Sequence, residues 1–529
     1  MIARRTVRWQ NIMHMDRHRR ILSSEIGVRR SDHLHRTTAD WYNHVGQVKI
    51  DILSDDILLC IFNVHVNVPS YSYPSQACPT YSSYVCFYER KEWRALEQVC
   101  RRWRTVVFES PYQLQVQLFC SNMTPVPAKL DIWPVLPIVV FHRDLGEQKL
   151  DNLIAAIKHN DRICKIDQSL SGEQQLQRIV SAMQVPFPAL TDLKFTLGGG
   201  GMFMFRSGPN SAVLPELFLG RSAPRLQHLD LSGFSFPGLP NLLLSATGLV
   251  SLELWRIPHS WDISPDAMVT HLSALNRLES LTLEFKSCRS RPDWESRQSP
   301  PTRTLIPALT RLKFEGANEY AEGLVIQIDA PRLDSLEITF FNKTVFDISH
   351  LSQFISRVPR FQAPDAAYVE FSSNGITLSL LESESESSPM PGHKIIELGI
   401  LCDESAGELS SFVQLCGSSL PAFTTVERLY IYQDYYTTWC RNWKHLIDHS
   451  HWLRFLHLFS HAKNLYVTRE IRVSILPVLE KLVGETATEV LPALQNLVLD
   501  KYMELSAVED FINARKASGH PISVSRWTG

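Results

Sequence analysis

One spacing recurs often enough to constrain most of what this chain of 529 residues can fold into. A leucine, a second leucine three residues on and a third apolar residue two beyond that occur at Leu190/Leu193/Phe195, Leu226/Leu229/Leu231, Leu249/Leu252/Leu254, Leu278/Leu281/Leu283, Leu309/Leu312/Phe314 and Leu333/Leu336/Ile338. Successive copies begin 36, 23, 29, 31 and 24 residues apart; a seventh stands at Leu494/Leu497/Leu499, and Val426/Leu429/Ile431 is a weaker version. Pro188, Pro224, Pro307, Pro331 and Pro492 each sit two residues before a first leucine. Proline ends a helix and biases its predecessor towards extended backbone, so each copy is expected to open as a strand.

Helix signals lie between the copies. Ser264, Pro265 and Asp266 supply an N-cap, a first-turn proline and an N-terminal acid ahead of the apolar face Met268, Val269, Leu272 and Leu275. Ile348, Leu351, Phe354 and Ile355 suggest another helix, and Ser506 with Glu509 makes a capping box ahead of Val508, Phe511 and Ile512. The acidic serine run from Glu382 to Ser388, followed by Pro389, Pro391 and Gly392, is too polar to pack and is expected to form an exposed loop at about 382–392.

With 44% hydrophobic and 20% charged residues the chain is globular material, and 53 Lys plus Arg against 55 Asp plus Glu leaves no overall field to draw it onto nucleic acid or an anionic membrane. The longest nearly uninterrupted apolar stretch, Ile132 to Phe141, is about half a membrane span and contains Pro134 and Pro137. The ten cysteines are scattered without a C-x-x-C pair, which argues against a structural zinc cluster and a secreted disulfide scaffold. A reducing compartment, cytoplasmic or nuclear or both, is expected.

The first 46 residues differ in kind: nine arginines and no lysine lie between Met1 and Arg36, with Asp16, Glu25 and Asp32 as acids. Those acids interrupt the basic face that a mitochondrial transit helix needs, so a disordered basic extension is the simpler reading of 1–46. A helical unit follows at 47–112. Ser54 can cap a helix whose first turn holds Asp55 and Asp56, and Ile57, Leu58, Ile61 and Phe62 form one stripe at the helical period. Pro69, Pro74 and Pro79 then destroy any period through an inserted loop at about 67–88. Trp93, Leu96, Val99, Cys100, Trp103, Val106 and Val107 resume the pattern as two short helices breaking near Val99, with Arg101, Arg102 and Arg104 on a solvated side.

The blocks from Ile52 to Phe62 and from Trp93 to Arg104 resemble the F-box motif, most specifically in Val99-Cys100-Arg101-Arg102-Trp103. The leucine pattern resembles a leucine-rich repeat. With Glu109-Ser110-Pro111 and the broken F-box, the combination is similar to a large set of F-box proteins of mushroom-forming fungi. The resemblance implies a mixed α/β fold: a three-helix F-box at 47–112, then a leucine-rich-repeat solenoid of strands and helices at 113–529. The solenoid should be irregular, because the steps are uneven and Gly198, Phe234, Ile257, Lys286, Ala317 and Phe341 stand where the family has Asn or Cys. The resemblance also implies docking on a Skp-type adaptor of a cullin-RING ubiquitin ligase through Leu53, Ile57, Leu58, Ile61, Phe62, Val99, Cys100 and Trp103, with Ser54 where the family usually has proline. The repeat strands would line a concave face on which Asp192, Lys194, His228, Asp230, Ser251, Glu253, Ser280, Thr282, Arg311, Lys313, Ser335 and Glu337 alternate with buried residues. Three cations against four anions is not the basic stripe of a nucleic-acid groove. Asp230, Glu253, Arg311, Lys313 and Glu337 are the expected target-binding residues.

No motif supplies covalent chemistry. Gly198 to Gly201 lack the lysine and hydroxyl of a phosphate cradle and read as a loose turn. His445, His449, His451, His457 and His461 include two i, i+4 pairs that could bind zinc. Leu446, Ile447, Leu453 and Phe455 interleave with them, so the polar edge of an amphipathic helix is simpler, and Trp439, Trp443 and Trp452 read as core. The expectation is a non-catalytic chain without metal or cofactor: the substrate-recognition subunit of an SCF-type ligase, carrying a target protein towards proteasomal degradation. The alternative is a repeat-scaffold interaction module with no ligase role.

Overall fold

The chain divides into two units, Met1–Val116 and Gln117–Gly529, in a computed structural model that describes residues 52–67, 92–111, 113–114, 116–121, 130, 136–143, 150–170, 173–197, 212–258, 263–286, 302–341, 348–372, 375–382, 393–401, 408–417, 423, 425–433, 449–468, 471–482, 489–501, 503 and 505–527. The extension 1–46 and the insertion read at about 67–88, apart from Asn67, lie outside the described residues.

In the first unit, helix α1 spans Asp55–Asn67, α2 Glu92–Glu97 and α3 Arg101–Glu109. The Ser54 hydroxyl accepts from the Ile57 N–H at 3.4 Å, and Asp55 and Asp56 fill the first turn. Between α2 and α3 the chain is extended at Cys100, whose Sγ accepts from the Trp103 N–H at 3.5 Å. The expected single stripe of α1 divides. Leu58, Phe62 and Val66 are buried, as are Trp93 and Leu96 of α2 and Val106 and Val107 of α3, whereas Ile57 and Ile61 are 49% and 45% exposed. Neighbouring helical residues point roughly 100° apart, so the pairs 57/61 and 58/62 face different ways. Arg101 and Arg104 are exposed, as the solvated-side reading has it, and Arg102 is half-buried. Arg102 donates to Asp55 Oδ1 at 2.9 Å and to the Leu53 carbonyl, and Arg104 donates to the Glu97 carbonyl at 3.0 Å.

The second unit is organised on one long sheet. Among the described residues its strands are β1 Leu118–Ser121, β2 Ile138–Arg143, β3 Ile163–Leu170, β4 Asp192–Leu197, β5 His228–Ser232, β6 Ser251–Ile257, β7 Ser280–Phe285, β8 Arg311–Gly316, β9 Ser335–Phe341, β10 Ala366–Phe371, β11 Gly375–Glu382, β12 His393–Leu401, β13 Arg428–Gln433, β14 Asn464–Val467, β15 Asn496–Asp500 and β16 Ser523–Trp527. Every leucine copy, including the weak one, opens a strand. Strands follow chain order to β9, then run β12, β11, β10, and resume at β13. All neighbours are parallel except β11, which is antiparallel to both β10 and β12. A long, mostly parallel sheet therefore carries an antiparallel insertion that the leucine spacing did not announce. Gly375 opens β11 because a Cβ there would lie 1.8 Å from the Ile400 carbonyl oxygen.

A ladder of buried side chains runs through the sheet: Leu193, Leu229, Leu252, Leu281, Leu312 and Leu336 are register partners in turn. It extends back through Ile166 and Val140 to Cys120 and forward through Ile396, Leu380 and Ala367 to Leu429, Leu465 and Leu497. All are buried, and each leucine contributes about 1.5–3 kcal/mol by leaving water. Return helices include α4 Pro265–Leu272, α5 Ser349–Arg357, α6 His449–His457 and α7 Glu509–Ala517. In α4 the Ser264 hydroxyl accepts from the Ala267 N–H at 3.1 Å, and Met268, Val269 and Leu272 are buried as expected. The capping box expected at Ser506 and Glu509 does not form: Ser506 lies in a 3-10 turn, and α7 starts at Glu509 without a side-chain cap. Val508 and Phe511 are fully buried on either side of that start, and packing there outweighs a cap worth about 1 kcal/mol. Of the loop read at about 382–392, Glu382 is described; it ends β11 and pairs with Arg360 at 3.3 Å. Among the described residues no helix is long and apolar enough to cross a membrane.

Candidate functional site

Because side chains alternate along a strand, each ladder residue leaves its neighbours on the opposite face, where strand after strand shows half-exposed positions between buried ones. This open face carries one continuous row in register: Asp167, Lys194, Asp230, Glu253, Thr282, Lys313, Glu337, Glu397, Ser379, Tyr368, Tyr430 and Tyr466. The charged part is laced across strands. Lys194 pairs with Asp230, Lys313 reaches Glu337 at 3.7 Å, and in the row below Lys165 reaches Asp192 at 3.9 Å. Burial pushes the Asp230 carboxyl above its ordinary range even with Lys194 beside it.

Four of the five expected target-binding residues meet at one place. Glu253, Arg311, Lys313 and Glu337 line a notch of about 200 Å³ with Trp255 and Ser335, over a floor that includes Ser280 and Thr282. The short side chains of Ser280 and Thr282 make the depression. They face the open side but are buried rather than exposed as expected, because longer neighbours stand around them. Trp255 forms one wall: its Nε1–H donates to Glu253 at 3.3 Å and its ring carries the Lys313 ammonium 5.1 Å above. Asp230, the fifth residue, stays with Lys194 outside the notch.

Trp255 was not anticipated. It sits beyond its leucine motif, at a break in register between Leu254 and Ile257 where Arg256 adopts φ 50°. Arg256 reaches back across two strands to the Ser232 hydroxyl, at 3.1 Å, and the Leu197 carbonyl. A bulge of this kind commonly marks a site where a side chain is re-aimed. Above the notch, Glu315 faces Glu284 across β8 and β7. Burial first, then Glu284, pushes the Glu315 carboxyl up to about 7, with Lys313 pulling the other way.

Further along, the same row turns aromatic. Tyr430 and Tyr466 stack at 4.1 Å and 12°, with Tyr368 6.2 Å from Tyr430 and 5.8 Å from Tyr432. All four rings are half-buried. Burial, then Tyr466, pushes the Tyr430 hydroxyl up to about 12, so it is neutral at physiological pH. Alternation around the weak copy Val426/Leu429/Ile431 would have put Tyr430 and Tyr432 here. Tyr466 follows Leu465 in a copy whose first position is Ala462, and Tyr368 belongs to the insertion.

The expected adaptor residues are split by the first unit. Ile57, Ile61, Val99 and Cys100 are exposed, and Leu53 is half-buried. Leu58 and Phe62 are instead fully buried, holding the three helices together where they can touch no partner. Trp103 is half-buried against Phe62, with ring centroids 4.6 Å apart. Ile52 and Val64, 74% and 66% exposed, extend the apolar surface.

Among the described residues no group of three or more His, Cys, Asp or Glu is placed to hold a metal ion. His445, Trp439, Trp443 and Gly198 to Gly201 lie outside the described residues; Trp452 is fully buried in α6, and His457 and His461 are exposed.

No protein-family model matches the chain, and no curated protein matches it. Among solved structures, the crystal structure of the leucine-rich repeat-containing protein LegL7 from Legionella pneumophila matches with a TM-score of 0.23 and 12% identity, over 77% of this chain and 99% of that one. So slight a likeness carries neither fold nor function across.

Proposed function

We propose that this chain is the substrate-recognition subunit of an SCF-type ubiquitin ligase, docking on a Skp-type adaptor through its helical unit and binding a target protein on the open face of its sheet. One observation carries the reading. Ile52, Ile57, Ile61, Val64 and Val99 are five of the ten large apolar side chains that the described residues leave exposed, and all five belong to the small helical unit whose sequence resembles an F-box. Apolar surface concentrated in this way is what a partner covers. The chain supplies no covalent step in this scheme; it holds two proteins together. A second reading rests on Ser54, which caps α1 but does not fix φ as the family's proline does, and makes the chain an interaction scaffold without a ligase role. Affinity purification of the tagged chain from cells, read by mass spectrometry, separates the two: Skp-type adaptor and cullin together support the first, and their absence alongside other stable partners supports the second.

A further inference from the structure

We propose that the lower half of the notch, centred on Arg311, seats the carboxylate of a glutamate or aspartate side chain from an extended segment of the target protein. The inference rests on the reading of the open face as the target surface and does not depend on the adaptor.

Of the four charged side chains that line the notch, three are answered within the fold. The Glu253 carboxylate accepts from the Trp255 Nε1–H at 3.3 Å and from the Ser251 hydroxyl at 3.1 Å. Lys313 stands over the Trp255 ring and 3.7 Å from the Glu337 carboxylate. Arg311 is exposed, and among the described residues its guanidinium has neither an ion pair nor a hydrogen bond.

The row in which Arg311 stands is short of acceptors. From His228 through Ser251, Ser280 and Arg311 to Ser335 it runs in register across five strands and holds no carboxylate. Ser280 and Ser335 flank Arg311 on the adjacent strands, and Thr282 is the next residue above Ser280 on the same face. Ser280 and Thr282 are only 8% and 6% exposed, and both line the notch. Among the described residues neither hydroxyl has a hydrogen-bond partner, nor has that of Ser335. A nearly buried hydroxyl left unpaired is unfavourable, and an acceptor lodged in the notch removes that cost.

Three hydroxyls and a guanidinium gathered at one depression are a donor set without an acceptor. A carboxylate completes it, because it is planar and singly charged, offers two oxygens to the guanidinium fork and keeps lone pairs for the hydroxyls. A phosphate fits less well. Its second charge would find Lys313 already engaged and would face Glu253 and Glu337 in the row above. The open sheet continues on both sides of the notch, from β1 to β16, so an extended chain can cross it and present a side chain rather than its end.

The test uses the full chain and rhodamine-labelled twelve-residue peptides, read by fluorescence anisotropy. These are (Glu-Gly-Ser)4, (Gln-Gly-Ser)4 and the phosphoserine counterpart, all with amidated C-termini, and (Gln-Gly-Ser)4 as the free acid, whose carboxylate is at the chain end. The glutamate peptide should bind saturably, at least about tenfold tighter than either glutamine peptide and tighter than the phosphoserine peptide. Arg311→Ala should weaken it by roughly tenfold or more, Arg311→Lys by about fivefold because an ammonium lacks the fork, and Ser280→Ala with Ser335→Ala by about threefold or more. Arg178→Ala, which removes the same charge from the helix Glu173–Ala182, should change it by less than about twofold. Arg311 is exposed, so its variants should melt as the wild type does. No saturable binding of the glutamate peptide, wild-type affinity in Arg311→Ala, or an equal loss in Arg178→Ala would overturn the proposal. So would a free-acid glutamine peptide that matches the glutamate peptide, which would move the ligand to a chain end, or tighter binding of phosphoserine, which would make it a phosphate. The assay contains no adaptor, so failed adaptor docking leaves it unaffected, and a failed peptide beside intact docking overturns this inference alone.

Discussion

From β4 to β9 the outward row of the sheet is charged and paired across strands, Lys194 with Asp230 and Lys313 with Glu337; from β10 to β14 the same row is aromatic, with Tyr430 and Tyr466 stacked and Tyr368 tilted beside them. Both stretches stand on one buried ladder, so the fold places no demand on the outward chemistry beyond alternation. The difference matters energetically. Half-exposed ion pairs contribute about 0–1 kcal/mol each and weaken with salt, so the charged stretch presents a mixed, adjustable surface suited to steering a partner. The tyrosines offer a fixed apolar area with polar edges, the kind of surface that anchors one.

The largest expected effect tests whether the two stretches do share a scaffold. Leu281→Ala under the charged row and Leu465→Ala under the tyrosines should each cost about 2–5 kcal/mol, read from urea midpoints. A loss below about 1 kcal/mol at either position would separate the two. Next comes the charged end of the sheet. Gln168 is fully buried on β3 at the register position of Phe195, and neither amide atom has a hydrogen-bond partner among the described residues. Gln168→Leu should therefore stabilise by about 1–3 kcal/mol, and a destabilised variant would mean that the amide is bonded after all.

Glu315 makes the charged stretch pH-sensitive. Its value of about 7 in the folded chain lies above the ordinary 4.5, so folding disfavours the ionised form, and stability should fall as pH rises from 4.5 to about 7 and level off beyond. Glu315→Gln should abolish that slope, gaining about 1 kcal/mol at pH 8, after allowance for the solvated part of the carboxylate, and nothing at pH 4. A slope unchanged in the variant would place the titration elsewhere. The smallest effect is expected for Lys194→Ala, within about 1 kcal/mol and shrinking in high salt. A salt-independent loss above 2 kcal/mol would contradict the picture of an adjustable surface.

What the sequence disclosed follows from how burial is encoded. Where the ladder position is leucine, as from Leu193 to Leu336 and at Leu429 and Leu497, the strand was legible. At Cys120, Val140 and Ile166 other side chains fill the same buried site, and at β14 alanine replaces the first leucine, so no pattern stood out. The antiparallel β11 was unreadable in principle, since alternation is the same in either chain direction. For the site, the notch residues followed from alternation; Trp255 keeps that same alternation but stands one residue beyond the leucine motif, and Tyr368 lies on a strand without the motif. On α1 the helical period located the apolar residues; which of them turn inward depended on α2 and α3, far along the chain.

The central claim is that the exposed side of α1 joins this chain to an adaptor. Binding of the full chain to an immobilised, purified Skp-type adaptor, compared with Ile57→Asp plus Ile61→Asp, tests it most directly. Both residues are about half exposed, so the variant should keep its wild-type circular dichroism and melting curve. The account predicts saturable binding of the wild type and at least a roughly hundredfold loss in the folded variant, as expected when charges replace apolar anchors at an interface centre. Equal binding of the two proteins, or no binding by the wild type, would contradict it.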